Sequence, residues 1–422
     1  MKARYLLLVA SVVLPLGVAG PAVSQDEASA VEISIPRGTP SRVVEDMSAR
    51  FDKAYPKTKL DYRLGAEEWT GQLQKTLRSA VTGDLPSVSH QSLNNLRVLV
   101  ARGVVAPLDT FIEEAGGWEA LGYLPRLKET VTVDGSIYAV PFATTIPLVF
   151  YNMDLVKKAG YDKESLPETW DEIFALAKKV DALGDKVMGI YMEVDATSAW
   201  MFQTILMSLG GSMMNPAETQ IAFDGEEGLR TLEITRELGE SGQIVMSDNQ
   251  ARQQFMAGGV GIYIRSASVL PKFTKAAEGK FEFRAGQIPV PKPGASLPGA
   301  GNGMVMHATD PAQQRAAWRY MTFAAGASGQ AALIDNTGYA PINVKAVSQP
   351  GYLKDFYEER PFYRLVVDRF PIISDWYAFP GNNSPRIFQT MIDEQLAVVA
   401  GQTTPEDALA TMAKTARELL SK

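Results

Sequence analysis

Apolar positions along this chain follow two rhythms that alternate with each other. "VEISIPRG" (31–38) puts apolar residues at every second position until Pro36, which predicts a strand, and "SRVVEDMSARFDKAYP" (41–56) puts Val43, Val44, Met47 and Phe51 at helical spacing. The strand "KLDYRL" (59–64) closes a βαβ unit. A helix around 67–82, a break at "GDLP", a strand at "SVSHQ" and a helix at "NNLRVLVARG" continue the order. Alternation of this kind predicts an α/β lobe.

A second such run begins in "GSIYAVPFATTIPLVFYNMDLVKKAG" (135–160), where an apolar strand feeds a helix. Its middle is interrupted by Thr144, Thr145 and Pro147. A hydroxyl inside a sheet must be hydrogen-bonded or it costs roughly 1 to 3 kcal/mol, so the threonines call for a partner. Thr169 is a predicted N-cap for the helix from Trp170. The second lobe runs on through "GIYMEV", a helix around Trp200 to Leu209, "EEGLRTLEITRELGESG" and the helix-strand pair "NQARQQFMAGGVGIYIRS". "IPVPKPGASLPGAGNGMVM" (288–306) is dense in Pro and Gly, breaks every regular pattern and reads as a crossover back to the first lobe. The last helix enters through Thr404 and Pro405.

The first 24 residues change the picture of where this happens. Lys2 and Arg4, the apolar run Leu6 to Leu14, then Ala22 and Ser24 follow the order of a cleavable secretory signal, with cleavage expected after Ser24. The apolar run is shorter than the roughly 18 to 20 residues of a spanning helix. The chain has no cysteine, which removes disulfides, thiolate catalysis and the acceptor for a lipid anchor. A periplasmic, freely diffusing protein is expected. The net charge of −7 becomes −9 without the leader, which carries two basic and no acidic residues, and this argues against nucleic acid as a partner.

Candidate chemistry narrows by exclusion. His90 and His307 are the two histidines, too few for a histidine metal cluster. No G-x-S-x-G elbow occurs, "GKF" lacks the hydroxyl residue of a phosphate loop, and "GAGNG" (299–303) spaces its glycines too tightly for a dinucleotide fingerprint. No spacing singles out a pair of carboxylates. What stands out is aromatic residues at loops and helix starts: Trp69, Trp200, Tyr339 and Trp376. Flat rings ringed by amides and hydroxyls suit the apolar faces and hydroxyl rims of sugars, although a tryptophan is more often core.

"YAVPFATTIPLVFYNMDLVKKAGYDKESLPETWDEI", "FMAGGVGIYI", "TGYAPIN" and "DEQLAVVAGQTTPEDALATM", together with the leader, resemble the solute-binding proteins of carbohydrate ABC importers (extracellular solute-binding family 1). "NTGYAPI" and "YLKDFYEERPFYRLVVDR" are most similar to the branch that binds glycerol 3-phosphate and glycerophosphodiesters. The resemblance implies an α/β periplasmic binding protein fold: two lobes, a hinge crossed more than once, and ligand in the cleft between them. The first lobe is expected from 25–143 plus about 304–345, and the second from 144–303 plus about 346–422.

The same resemblance implies site residues. Thr144 and Thr145 fall where the family crosses between lobes and faces ligand, the alternative being hinge residues bonded to nearby backbone. Trp200 matches a stacking aromatic, Gly301 and Asn302 a glycine-containing turn, and Tyr339 the tyrosine of "TGY-x-P". Arg37, Trp69 and Gln91 fall in first-lobe loops that edge the cleft, and Trp376 lies in "DWYAFPGNNSPR", where the glycerol-phosphate binders supply an arginine that is not in register here. Arg386 follows too late, and Arg265 and Arg37 are left as partners for an anion. The expected function is capture of a sugar or sugar-like polyol by hinge closure and delivery to a membrane permease, by a monomer without cofactor, metal or enzymatic activity. An anionic glycerol or sugar derivative is the alternative solute. A secreted carbohydrate-active enzyme and an adhesion or scaffolding protein are the rival classes.

Overall fold

The computed structural model describes residues 29–37, 39–66 and 69–421. The expected signal segment lies outside the described residues. In chain order, β1 (Ser29–Ile35), α1 (Ser41–Ala54), β2 (Thr58–Leu64), α2 (Trp69–Thr82), β3 (Val88–Ser92) and β4 (Ala139–Thr145) belong to the first half. There follow β5 (Pro147–Asn152), α3 (Trp170–Asp181), β6 (Met188–Met192), α4 (Trp200–Ser208), α5 (Glu226–Glu240), β7 (Val260–Ser266) and β8 (Phe283–Gln287). The chain returns through β9 (Leu297–Pro298) and β10 (Ala300–Met306) to α6 (Pro311–Ala325) and α7 (Ala327–Ile334). It ends with β11 (Ile373–Ser374), α8 (Ser384–Val399) and α9 (Pro405–Leu420).

Two sheets define two lobes. The first has the order β2-β1-β3-β10-β4, parallel among β2, β1 and β3 and antiparallel where β10 lies between β3 and β4. The second has the order β8-β5-β7-β6. One residue, Ile146, separates β4 in the first sheet from β5 in the second. A separate two-stranded sheet is the short parallel pair of β9 with β11.

Local rules explain most elements. Val43, Met47 and Phe51 form the buried stripe of α1, and Phe51 meets Phe323 of α6 edge-on at 5.2 Å. Thr169 caps α3 in a full capping box with Glu172, and Thr404 caps α9 by accepting from the Asp407 amide at 3.1 Å. Phe202, Leu232, Phe388 and Met412 join α4, α5, α8 and α9 in a core of their own beside the main one.

The Pro/Gly-rich crossover departs from its sequence reading. Its second half is β10, a central strand of the first sheet, so Gly301 and Asn302 lie in a strand and not in a turn. Tertiary pairing imposes this: Gly301 faces Thr144 across the ladder, and a Cβ on Gly301 would stand 2.3 Å from the Ala143 carbonyl oxygen. Only glycine lets β4 and β10 come this close. A register irregularity follows between Asn302 and Gly303.

Candidate functional site

The loops that leave the carboxyl ends of the parallel strands meet where the lobes face each other, the general location of ligands in open α/β sheets. After β3 comes Asn94, and after β6 comes the turn holding Ser198. The Asn94 side-chain amide donates to the Ser198 hydroxyl across the interlobe seam. Ser198 (φ 55°) and Ala199 (φ 49°) both sit in the left-handed region, which costs non-glycine residues about 1 to 3 kcal/mol each. Gln203 holds the turn: its side-chain amide donates to the Ser198 carbonyl at 2.9 Å and to the Tyr377 carbonyl at 3.2 Å, and its oxygen accepts from the Tyr377 amide at 3.0 Å. Strain at this point is spent on aiming Ser198 across the seam and on starting α4 at Trp200.

Trp200 and Trp376 come together at the second-lobe side, with ring centroids 6.1 Å apart. Trp200 is only 4% exposed, and its indole N–H donates to the Pro298 carbonyl at 2.9 Å. It is a wall of the seam built into the core. Truncating it would leave a cavity costing about 3 to 5 kcal/mol, so it cannot be removed without cost to the fold. Trp376 shares a small hollow of about 50 Å³ with Asn94, Arg97, Glu129, Gly299 and Asp375.

Thr144 and Thr145 have different fates. The Thr145 hydroxyl lies 3.1 Å from the Ser266 hydroxyl at the end of β7 and 3.3 Å from the Ile146 carbonyl, so it ties the two sheets at the crossing. The Thr144 hydroxyl is buried and has no hydrogen-bond partner among the described residues. Other buried polar atoms without a partner among the described residues include Asn94 Oδ1, Ser374 Oγ and Trp376 Nε1, and Ser92 Oγ on the opposite face of the first sheet. Gly299 adjoins Thr144, since a Cβ there would lie 3.0 Å from Thr144 Oγ1 and 2.8 Å from Ile373.

A larger hollow of about 190 Å³ adjoins this seam on the first-lobe side and gathers Trp69, His90, Phe142, Asn302 and Tyr339. The Ala340 amide, next to Tyr339, donates to the Thr144 carbonyl at 2.9 Å and so ties the Tyr339 segment to β4. Desolvation lowers the His90 pKa to about 4, so the ring is neutral at pH 7. The neutral ring then donates from Nδ1 to Asn302 Oδ1 (3.4 Å) and accepts at Nε2 from Tyr320 (3.1 Å). His307, also lowered to about 4 by desolvation, is used the same way between the Val104 carbonyl and the Ser89 hydroxyl.

Three expected residues are placed elsewhere or already engaged. Gln91 turns into the first-lobe interior, donating to Thr76 Oγ1 at 2.8 Å and to Ser89 Oγ at 2.9 Å. Alternation along β3 explains this, because its neighbours His90 and Ser92 point to the opposite face. Arg265 is held by Asp248 at 2.7 Å and Glu193 at 3.0 Å, which leaves it no open face for an anion. Burial pushes Glu193 up to about 7 despite that guanidinium. Arg37 is exposed, and its amide donates to the Ala66 carbonyl at 3.0 Å beside the mouth of the larger hollow.

Sequence reasoning missed Asn94, Ser198 and the Arg97–Glu218 ion pair (2.7 Å), which Tyr377 completes by donating to Glu218 at 2.9 Å. No local signal marks them, since each gains its meaning only from a residue more than 100 positions away. Among the described residues no group of three or more His, Cys, Asp or Glu side chains could hold a metal ion, and no helix is long and apolar enough to cross a membrane.

Comparison with known proteins gives a consistent outcome. The family model of the bacterial extracellular solute-binding proteins matches residues 46–359. The chain is 23% identical over 412 residues to the sn-glycerol-3-phosphate-binding periplasmic protein UgpB of Salmonella typhimurium, covering 91% of each. Among solved structures, UgpB from Mycobacterium tuberculosis in complex with glycerophosphocholine superposes with a TM-score of 0.82 at 20% identity, covering 92% of this chain and 98% of that one. The cyclic alpha-maltosyl-1,6-maltose binding protein from Arthrobacter globiformis gives 0.77 at 21% identity, covering 93% and 98%. These neighbours show the two-lobe periplasmic binding protein fold.

Proposed function

Since this chain belongs to the bacterial extracellular solute-binding proteins, we propose that it captures a sugar or sugar-like polyol between its lobes and hands it to the membrane permease of an ABC importer. The observation that carries this reading is the set of buried polar atoms near the seam that have no partner among the described residues: Thr144 Oγ1, Asn94 Oδ1 and Trp376 Nε1. Each unpaired group costs about 1 to 3 kcal/mol, and a solute rich in hydroxyls can both donate to the oxygens and accept from the indole. Trp376 and Trp200 supply apolar walls for the C–H faces of such a molecule.

Capture works as a population shift. The ties at the crossing, Thr145 to Ser266 and the Ala267 amide to the Ile146 carbonyl at 3.0 Å, hold the lobes together at one end and leave the seam free to open. Closing buries the seam atoms, which is unfavourable until a solute pairs with them, so the closed arrangement is favoured only when filled. No covalent step is needed. The expected place of work is the periplasm. The relatives' names favour one second reading, a glycerol 3-phosphate or glycerophosphodiester; Arg265, an obvious phosphate partner by sequence, is committed to two carboxylates.

Native mass spectrometry of the protein purified from its own host tests the reading. A co-purified polyhydroxylated solute of small mass is the expected result, and addition of that solute should raise the melting temperature. If no small solute is retained and neither sugars nor glycerol derivatives shift the melting temperature, the receptor reading is wrong.

A further inference from the structure

We propose that the end of the solute seated in the small hollow carries a positively charged amine, so that the chain selects an ammonium-bearing polyol; this rests on the receptor reading. Four charged side chains stand at this end. Arg97 is paired with Glu218 at 2.7 Å, while Glu129 and Asp375, which line the same hollow, have no cation within ion-pair distance among the described residues. Asp375 feels the positive charge of Arg97 and, less strongly, the negative charges of Glu129 and Glu218, so the four groups share one neighbourhood. Three carboxylates against one guanidinium leave this end net negative, a field that repels phosphate and attracts an amine.

Two features independent of the acids point to a ligand at the same place. Asn94 is 6% exposed and its Oδ1 has no hydrogen-bond partner among the described residues, so it presents a buried acceptor to a donor such as an N–H group. Trp376 is 8% exposed and lines the hollow between the carboxylates and Gly299, where an aromatic face attracts a desolvated cation. Its unpartnered Nε1–H calls for an acceptor, which a neighbouring hydroxyl of the same solute provides. Among the described residues that line it, the larger hollow holds no Asp, Glu, Lys or Arg side chain, and its histidine is neutral at pH 7. The two hollows therefore differ in charge, and the amine belongs at the Trp376 end.

The test uses the whole secreted chain and four probes, glucosamine, choline, glucose and glucose 6-phosphate, read by thermal shift and by titration calorimetry at low and high salt. Glucosamine or choline is expected to bind at least about tenfold more tightly than glucose, with glucose 6-phosphate weakest and the amine preference shrinking as salt screens the half-exposed carboxylates. Asp375→Asn and Glu129→Gln, both at exposed positions, should keep the unliganded melting temperature and reduce that preference to less than about threefold. Glucose or glucose 6-phosphate binding as tightly as the amines overturns the proposal and leaves the receptor reading standing. Failure of all four probes to bind counts against both.

Discussion

The two hollows of this cleft are built from different materials. The described walls of the first-lobe hollow are aromatic and carry no charged side chain, and most of its polar atoms are paired, the Tyr62 hydroxyl excepted: His90 is shared between Asn302 and Tyr320, and Thr337 is bonded to the Leu333 carbonyl. The hollow at the seam is a quarter of that size and is rimmed by carboxylates, with unpaired donors and acceptors in its walls. One is finished by folding and the other is left unfinished by it. A protein that must hold a polar solute needs the second kind, because pairing that folding leaves undone is what binding can supply.

Four experiments would break or sharpen this contrast. The largest effect is expected at the strand that joins the hollows: Gly301→Ala places a Cβ against the backbone of Ala143 and should cost about 3 kcal/mol or more in urea unfolding. Wild-type stability in this variant would mean that β4 and β10 are not locked together. Next is the titration of the finished hollow. His90 has a folded pKa near 4 against about 6.5 unfolded, so its contribution is whole above pH 6.5 and is lost as pH falls toward 4, up to about 3 kcal/mol. Glu193 and other raised carboxylates act with the opposite sign, so the measurement is the difference between wild type and His90→Gln. The variant should lose less stability than wild type across that window, and equal losses would mean His90 is not buried neutral.

The third experiment separates the adjacent threonines. Thr144→Val should leave unfolding stability unchanged and weaken binding of the co-purified solute about tenfold, or roughly 1.4 kcal/mol. Thr145→Val should do the reverse, losing about 1 kcal/mol of stability with its bond to Ser266 and little affinity. Equal behaviour would erase the distinction between a binding hydroxyl and a hinge hydroxyl. The smallest effect is expected at the rim. Arg97→Ala removes a half-exposed ion pair, so affinity should change by no more than about threefold while X-ray scattering shows a slightly more open average shape without solute. A loss of tenfold or more would make this pair a latch rather than a rim contact.

Several of these residues were readable in advance and several were not. Thr144 stood out because a hydroxyl in an apolar run demands a partner, and Trp376 because aromatic and amide groups replace an arginine in its segment. Gln91 was misplaced because membership of a strand says nothing about which face a side chain takes until the sheet has two covered sides. Arg265 looked available because the carboxylates that consume it are 17 and 72 positions away. Gly301 and Asn302 looked like a turn because glycine content is a local signal, whereas the need for glycine in β10 arises from the closeness of β4.

The sequence alone determined most of the alternation of strands and helices, the caps at Thr169 and Thr404, the α/β class and the kinship with solute-binding proteins, because periodicity and capping are properties of neighbours along the chain. The tertiary structure decided which of two adjacent threonines ties the hinge and which faces the seam. It also consumed Arg265 and left Asn94, Thr144 and Trp376 with polar atoms unpaired. Hydrogen bonds and ion pairs act over a few ångströms of space, and only the folded chain brings together groups that lie hundreds of residues apart in sequence.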